Sequence, residues 1–264
     1  MANYINVYHQ REKGPEMIAP TPEHYVLSLD SQVLPCRMAV QHICRSVRPE
    51  INEWTEFLVR SNGGLSHLSP LDFVEQGYKR RGLLFDEDIV LCCLDAVAQL
   101  PSTSWFSINI HPNSLHRERF VEFLRGELEY RDIDPNRVIL ELVEFGGPVN
   151  LMASRSAMDE LRDEGIRFAL DDFGPGFSNL DLIGSNLVDF VKLDRSLVRF
   201  IDVQSGYTQL IQGLQALADQ TDVVLVAEGV ETESQARIVR QIGVEWIQGF
   251  HYSRPAMVEA NEQQ

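Results

Sequence analysis

The sequence has little cysteine, no long apolar run and a shortage of positive charge, and each lack excludes something. Its 264 residues include four cysteines, Cys36, Cys44, Cys92 and Cys93, and no Cys-x-x-Cys pair. That excludes a small disulfide-stapled scaffold and offers no zinc-ligand spacing; buried thiols in a reducing compartment are expected. No apolar stretch approaches the roughly 20 residues of a membrane span. The opening MANYINVYHQREKGPE lacks the apolar segment of a secretory signal. A cytoplasmic protein with no membrane span is the expectation. Only 23 Lys and Arg stand against 39 Asp and Glu, for a formal net charge of -16. Such a field repels nucleic acid and anionic membranes, so no DNA or RNA polymer is expected as partner. A small phosphate ligand stays compatible, because bound cations reverse the local field.

What is present is ample apolar material, 44% of the chain, at a length that suits one large α/β barrel. Residues 1–35 are Pro-rich and polar without clear periodicity and are expected to form an arm or appendage. From residue 36 to 264 a single domain is expected. Within it, β-type runs recur at 37–43, 54–60, 104–110, 137–143, 166–172, 188–194, 222–228 and 245–250. From the second run onward, helical stretches lie between them, around 69–99, 113–131, 150–164, 178–185, 195–219 and 231–242. Near-continuous apolar strands alternating with helices predict a buried parallel sheet, and eight of them predict closure into a (β/α)8 TIM-type barrel. The link between the first two runs is too short for a parallel crossover and carries Pro49. The first strand is therefore expected to pair with the second as an antiparallel hairpin.

Polar groups punctuate these strands where apolar residues belong. Glu56, Asn109, Glu141 with Glu144, Asp171 with Asp172, Lys192 with Asp194, Glu228 and Gln248 lie in or just after successive runs, and Glu231 follows soon after. Taken singly, such a residue is ordinarily a helix cap or a solvated rim group, and Asp194 and Glu231 directly precede predicted helices. Seven successive strands ending this way would crowd anions into one barrel mouth, which is costly unless they are protonated or bound to cations. The C-terminal mouth is also where barrels of this class hold their chemistry. Carboxylates and one Asn amide, without Cys or His, are hard donors suited to Mg²⁺ or Mn²⁺. The adjacent Asp171 and Asp172 can bridge two ions in the arrangement that clamps an in-line displacement at phosphorus. Lys192 among these acids can orient water or offset developing charge; it serves equally as a spacer relieving acid repulsion. Proton abstraction beside a carboxylate, with Mg²⁺ stabilising an enolate, fits the same architecture.

The short motifs go further. TEFLVR resembles the Glu-Ala-Leu-x-Arg signature of EAL-domain phosphodiesterases. SINI, ELVE, LDDFGPGFSNL, VKLD, VAEGVET and IQGFHYSRP resemble that family's remaining motifs in the family's order, with AVQHI on the first strand. The resemblance spans Gln41 to Pro255. It implies hydrolysis of cyclic di-GMP at one 3′–5′ phosphodiester bond to linear pGpG. It also implies that Glu56, Asn109, Glu141 and Asp171 hold one metal ion, and that Asp171, Asp172 and Glu228 hold the second. By the same resemblance Lys192 assists the attacking water, and Glu228 manages a proton. Gln41 and Arg60 contact substrate, while Glu231 and Gln248 position it. Glu144 braces the loop after Asp172, near which family members form homodimers.

The sequence departs from the family pattern at His42, Phe57, Pro175 and Phe177, none of which is a metal-ligand position. Alternation along a strand predicts that Phe57 packs outward, beneath the helices. The rival to an active hydrolase is an EAL domain that binds cyclic di-GMP as a receptor without cutting it. A module that acts only through its protein surface is a third reading.

Overall fold

The computed structural model describes residues 36–258 apart from 64–66, 98–99, 102, 144–150, 175–182 and 185. The expected arm at 1–35, most of the expected helix at 178–185, and Glu144, Pro175 and Phe177 lie outside the described residues.

Two long antiparallel strands open the domain, β1 (Cys36–Arg45) and β2 (Arg48–Ser61). Then come α1 (Pro70–Arg81), α2 (Leu84–Val97), β3 (Trp105–Ile110), α3 (Glu118–Tyr130), β4 (Val138–Leu142), α4 (Arg155–Asp163) and β5 (Arg167–Phe173). The chain continues through β6 (Phe190–Leu193), α5 (Arg195–Val198), α6 (Ser205–Ala218), β7 (Val224–Ala227), α7 (Glu233–Ile242), β8 (Trp246–Ile247) and the short β9 (Ala256–Met257). Strands β2 to β8 are parallel neighbours in sequence order, and β1 lies antiparallel between β8 and β2, so the eight strands close on themselves. This is the expected barrel with its reversed first strand. β9 adds to the β8 side of β1, pairing Met257 with Ala39 and Ala256 with Val40.

The boundaries differ from the sequence-based expectation for identifiable reasons. The supposed link between the first two strands is mostly strand, and the hairpin turns at Ser46–Val47. Pro49 falls where the ladder is irregular, between the pairs Cys44–Asn52 and Arg45–Arg48, so its missing N–H leaves no acceptor unserved. The stretch 69–99 forms two helices that break at Gly82, and 195–219 likewise forms α5 and α6. The eighth strand is only two residues long. A Cβ on Gly249 would lie 2.1 Å from the Val230 carbonyl oxygen, so only glycine lets the chain leave β8 against the loop after β7.

Two apolar layers result. Outside, the sheet packs under the helices through one large cluster that includes Phe57, Phe73, Phe85, Phe106 and Phe120. Inside, Ile43, Trp54, Ile139, Ala169, Phe190, Val226 and Trp246 fill the barrel's lower part. Trp54 meets Phe190 at 4.8 Å and Trp246 at 5.6 Å between ring centroids, and Trp105 flanks them. Strand side chains alternate faces. Each interior residue of this floor therefore has a partner two positions away that faces the upper interior: Glu56 above Trp54, Glu141 above Ile139, Asp171 above Ala169, Lys192 above Phe190, Glu228 above Val226 and Gln248 above Trp246. On the reversed β1 the order inverts, with Gln41 before Ile43.

Phe57, one residue from Glu56, faces outward as expected. It is 2% exposed and packs edge-on against Phe106 at 6.1 Å. Phe57→Ala is expected to lower unfolding free energy by about 3–5 kcal/mol in urea titration. A loss under about 1 kcal/mol would mean that the ring does not fill this layer.

Candidate active site

The upper interior brings nearly all the predicted polar residues together. Lys192, 1% exposed, projects from β6 into a ring of acids from four other strands or strand ends. Its Nζ lies 2.6 Å from Glu141 Oε2, 2.8 Å from Glu228 Oε1, 2.9 Å from Asp171 Oδ1 and 3.5 Å from Glu56 Oε1. Glu56 also accepts hydrogen bonds from Asn109 Nδ2 at 3.0 Å and Gln248 Nε2 at 2.5 Å. Gln248 thus reaches Glu56 across the interior, because β1 separates their strands. Gln41 sits opposite Glu56 in the ladder and donates to the Ser253 carbonyl at 3.0 Å.

Charge and burial set the protonation of this group. Burial alone would push the Lys192 ammonium down, but Asp171, Glu141, Glu228 and Glu56 together hold it well above the usual lysine range. Burial likewise opposes ionisation of Glu56, yet the Lys192 charge and the hydrogen bonds from Gln248 and Asn109 keep it below the carboxylate norm. Burial raises Glu141 well above that norm, with Glu56 adding repulsion. Burial lifts Glu228 to about 8, and burial with the Asp171 charge lifts Asp172 to about 6. Five carboxylates face one ammonium, and without a cation some of them retain protons.

β5 bends to place two consecutive carboxylates in this group. Neighbouring strand residues ordinarily face opposite sides, but Asp172 has φ 51 and the β5–β6 ladder loses register between Leu170 and Phe173. Aspartate tolerates this left-handed conformation better than most residues. As a result Asp171, Asp172 and Glu228 each offer an oxygen within 4.8 Å of the others. Among the described residues, the buried oxygens Asn109 Oδ1 and Gln248 Oε1 have no hydrogen-bond partner. A buried carbonyl or carboxylate oxygen without a donor is costly, and a hard divalent cation is the ligand that such an all-oxygen set accepts. The donor chemistry therefore fits a metal site.

Above the acids opens a cleft of about 300 Å³. Glu231 and Gln248 line it together with residues that sequence reasoning did not single out: Leu58, Arg195 and Phe250. Arg195 follows directly after Asp194, whose carboxylate caps α5 by accepting from the Ser196 N–H at 2.9 Å. The capping role considered for Asp194 thus holds, whereas the one considered for Glu231 belongs to its neighbour Thr232, in a capping box with Gln235. Arg195 also explains Gly229, whose φ is 66 and whose added Cβ would meet Arg195 Cβ at 2.4 Å. The guanidinium of Arg60 turns onto the Val59 carbonyl at 2.9 Å.

Comparison with known proteins places this site in context. The EAL domain family model matches residues 58–255. A cyclic di-GMP phosphodiesterase, PdeA of Borreliella burgdorferi, is 32% identical over 57% of this chain and 22% of its own length. An uncharacterized signaling protein of Caulobacter vibrioides is 31% identical over 73% of this chain and 24% of its own. The chain spans about a quarter of the length of the curated relatives it matches. Among solved structures, the manganese and cyclic di-GMP complex of Klebsiella pneumoniae BlrP1 superposes with a TM-score of 0.76 at 28% identity, covering 88% of this chain and 58% of that one. A standalone EAL protein of Vibrio cholerae, bound to cyclic di-GMP, gives 0.75 at 26% identity, covering 89% and 98%. With its barrel, its ring of acids around a buried lysine and a family match across most of its length, this chain belongs to the EAL domain family.

Proposed function

We propose that the chain is a cyclic di-GMP phosphodiesterase that hydrolyses one 3′–5′ bond to give linear pGpG with two divalent ions, Mg²⁺ or Mn²⁺. The observation that carries this reading is the convergence of Glu56, Asn109, Glu141, Asp171, Asp172 and Glu228 on one mouth, around Lys192. Glu56, Asn109, Glu141 and Asp171 would hold one ion; Asp171, Asp172 and Glu228 would hold the other. The Asn109 oxygen left without a partner among the described residues and the close triplet of acids support that division. When bound, the ions make water a better nucleophile near neutral pH and offset charge on the phosphoryl oxygens.

The chain's own groups supply the rest. Lys192 remains an ammonium at neutral pH and donates a hydrogen bond to the attacking water or to an oxygen gaining charge. Glu228, with its raised affinity for a proton, accepts one at its carboxylate and releases it again. The water oxygen bonds to phosphorus, the bond to the 3′ oxygen breaks, and the proton ends on that 3′ oxygen. Gln41, Arg60, Glu231 and Gln248 would bind and orient the dinucleotide, and Glu144 would support the loop beyond Asp172. In this reading residues 36–264 form the catalytic domain and 1–35 an appendage. The protein works in the cytoplasm, as a homodimer, on no nucleic-acid polymer.

The decisive test is incubation of purified protein with cyclic di-GMP and Mn²⁺, followed by chromatography of the nucleotides, with EDTA as control. Metal-dependent pGpG is expected. Glu56→Ala and Asp171→Ala should each reduce turnover on the order of 1,000-fold while the circular dichroism spectrum is preserved. Tight binding with no product would replace the enzyme reading with a receptor; near-normal activity of either variant would overturn the residue assignment.

Acid crowding also predicts how stability depends on pH. A carboxyl whose folded pKa lies above its unfolded value binds more protons when folded, so stability falls as pH rises between the two. For Glu228 that window runs from the ordinary glutamate value of 4.5 to about 8, and Glu141 shifts in the same direction. In EDTA, raising the pH from about 6.5 to about 8.5 should lower Tm by roughly 5 °C. Mn²⁺ should remove most of that decline. A Tm that is flat with pH in EDTA would mean that the acids are not crowded as described.

A further inference from the structure

Four cysteines are free and buried, and two of them meet. Cys36 begins β1 and Cys92 lies in the middle of α2, yet their sulfurs are 3.1 Å apart. That is closer than unbonded sulfur atoms normally sit and about 1 Å beyond the ~2.05 Å of a disulfide bond. We propose that Cys36 and Cys92 are an oxidisable dithiol, a modification site at which a small disulfide is reduced and the start of β1 becomes covalently tied to α2.

The short contact lets one thiol share its proton with the other. The hydrogen bond between Cys92 and Cys36 holds the Cys36 thiol below its usual range, against burial and the nearby Asp88 charge. The same contact, with burial, pushes Cys92 up. With the sulfurs 3.1 Å apart, a thiol exchange begun at Cys36 is completed by Cys92. The Cys36 thiolate attacks a disulfide R–S–S–R, forms a mixed disulfide and expels one thiolate. Cys92 then loses its proton, attacks the Cys36 sulfur and expels the second. Two protein thiols and one small disulfide become one protein disulfide and two small thiols, so electrons and protons balance.

Placement makes the pairing selective. Cys36 and Cys92 are 5% and 7% exposed, whereas Cys93 is fully buried at 0%. Cys44 lies eight positions further along β1, about 25 Å away at the rise of an extended strand. Neither sulfur belongs to the acid cluster, and the inference stands whether or not the proposed hydrolysis does.

The test uses the full chain, reduced and freed of reductant, then incubated with oxidised glutathione. After unfolding in denaturant, free thiols are counted colorimetrically and disulfide-linked peptides are mapped by mass spectrometry. Free thiols should fall from four to two, with the mass lower by two hydrogens and no retained glutathione. The linked peptides should join Cys36 to Cys92, and dithiothreitol should restore all four thiols. Cys44→Ser should still lose two thiols, whereas Cys92→Ser should form no internal bridge and should stop at a glutathione adduct on Cys36. Four thiols persisting in the wild-type protein, or a bridge through Cys93 or Cys44, would overturn the proposal. Mapping of the wild-type chain decides the matter even if a serine variant does not fold.

Discussion

A single buried ammonium makes the upper barrel possible. Four carboxylates cannot share a water-poor space without a cation, and a lysine cannot stay charged there without anions. Lys192 and the acids around it are therefore mutually dependent, each being the reason the others can be ionised. This explains why Glu56, although buried, is held below the ordinary carboxylate range while Glu141 and Glu228 are pushed above it. One positive charge satisfies only part of the ring, and the surplus negative charge is one that divalent cations would offset. The same surplus fits the chain's overall acidity, which repels large polyanions. Under the proposed function, a small phosphodiester would enter where bound cations reverse the sign.

The geometry of this ring rests on what lies beneath it. Trp54, Phe190 and Trp246 are large and rigid, and they fix the barrel's cross-section just below the acids. Trp54 donates to Ser107 Oγ at 2.9 Å, which ties the floor to the strand that carries Asn109. Arg45 and Arg167 stack over Trp246 and Trp105 at 4.5 and 4.2 Å, closing the far end with cation–π contacts. Side chains that must hold separations of a few ångströms need this kind of support, because reactive geometry tolerates little slack.

Much of this was legible in the sequence. The alternation of apolar runs and helical stretches gave the eight strands, since parallel strands buried on both faces read as continuous apolar runs. The short first connection gave the reversed strand. Glu56, Asn109, Glu141, Asp171, Asp172, Lys192, Glu228 and Gln248 lie together at the upper interior, whereas Glu144 lies outside the described residues. Other features depend on contacts distant in sequence. The bulge at Asp172 carries no glycine to announce it. Gln248 meets Glu56 only because β1 intervenes between β8 and β2. Arg195 and Phe250 reach the cleft by the course of short loops, and a helical period cannot show that 195–219 is two helices. Glu231 precedes a helix, as a cap would, but Thr232 has the side chain of the right length to reach the Gln235 N–H, and leaves Glu231 to the cleft.

The reversed first strand also sets where the described chain enters and leaves the barrel. In an all-parallel barrel the first strand begins at the floor, far from the chemistry. Here Cys36 pairs with Ser61, the mouth end of β2, and Val258 donates to the Met38 carbonyl at 2.9 Å. Incoming and outgoing chain therefore meet side by side at the rim, a few residues from Gln41. Both connections to the barrel thus lie at the end that holds the acids, opposite the aromatic floor.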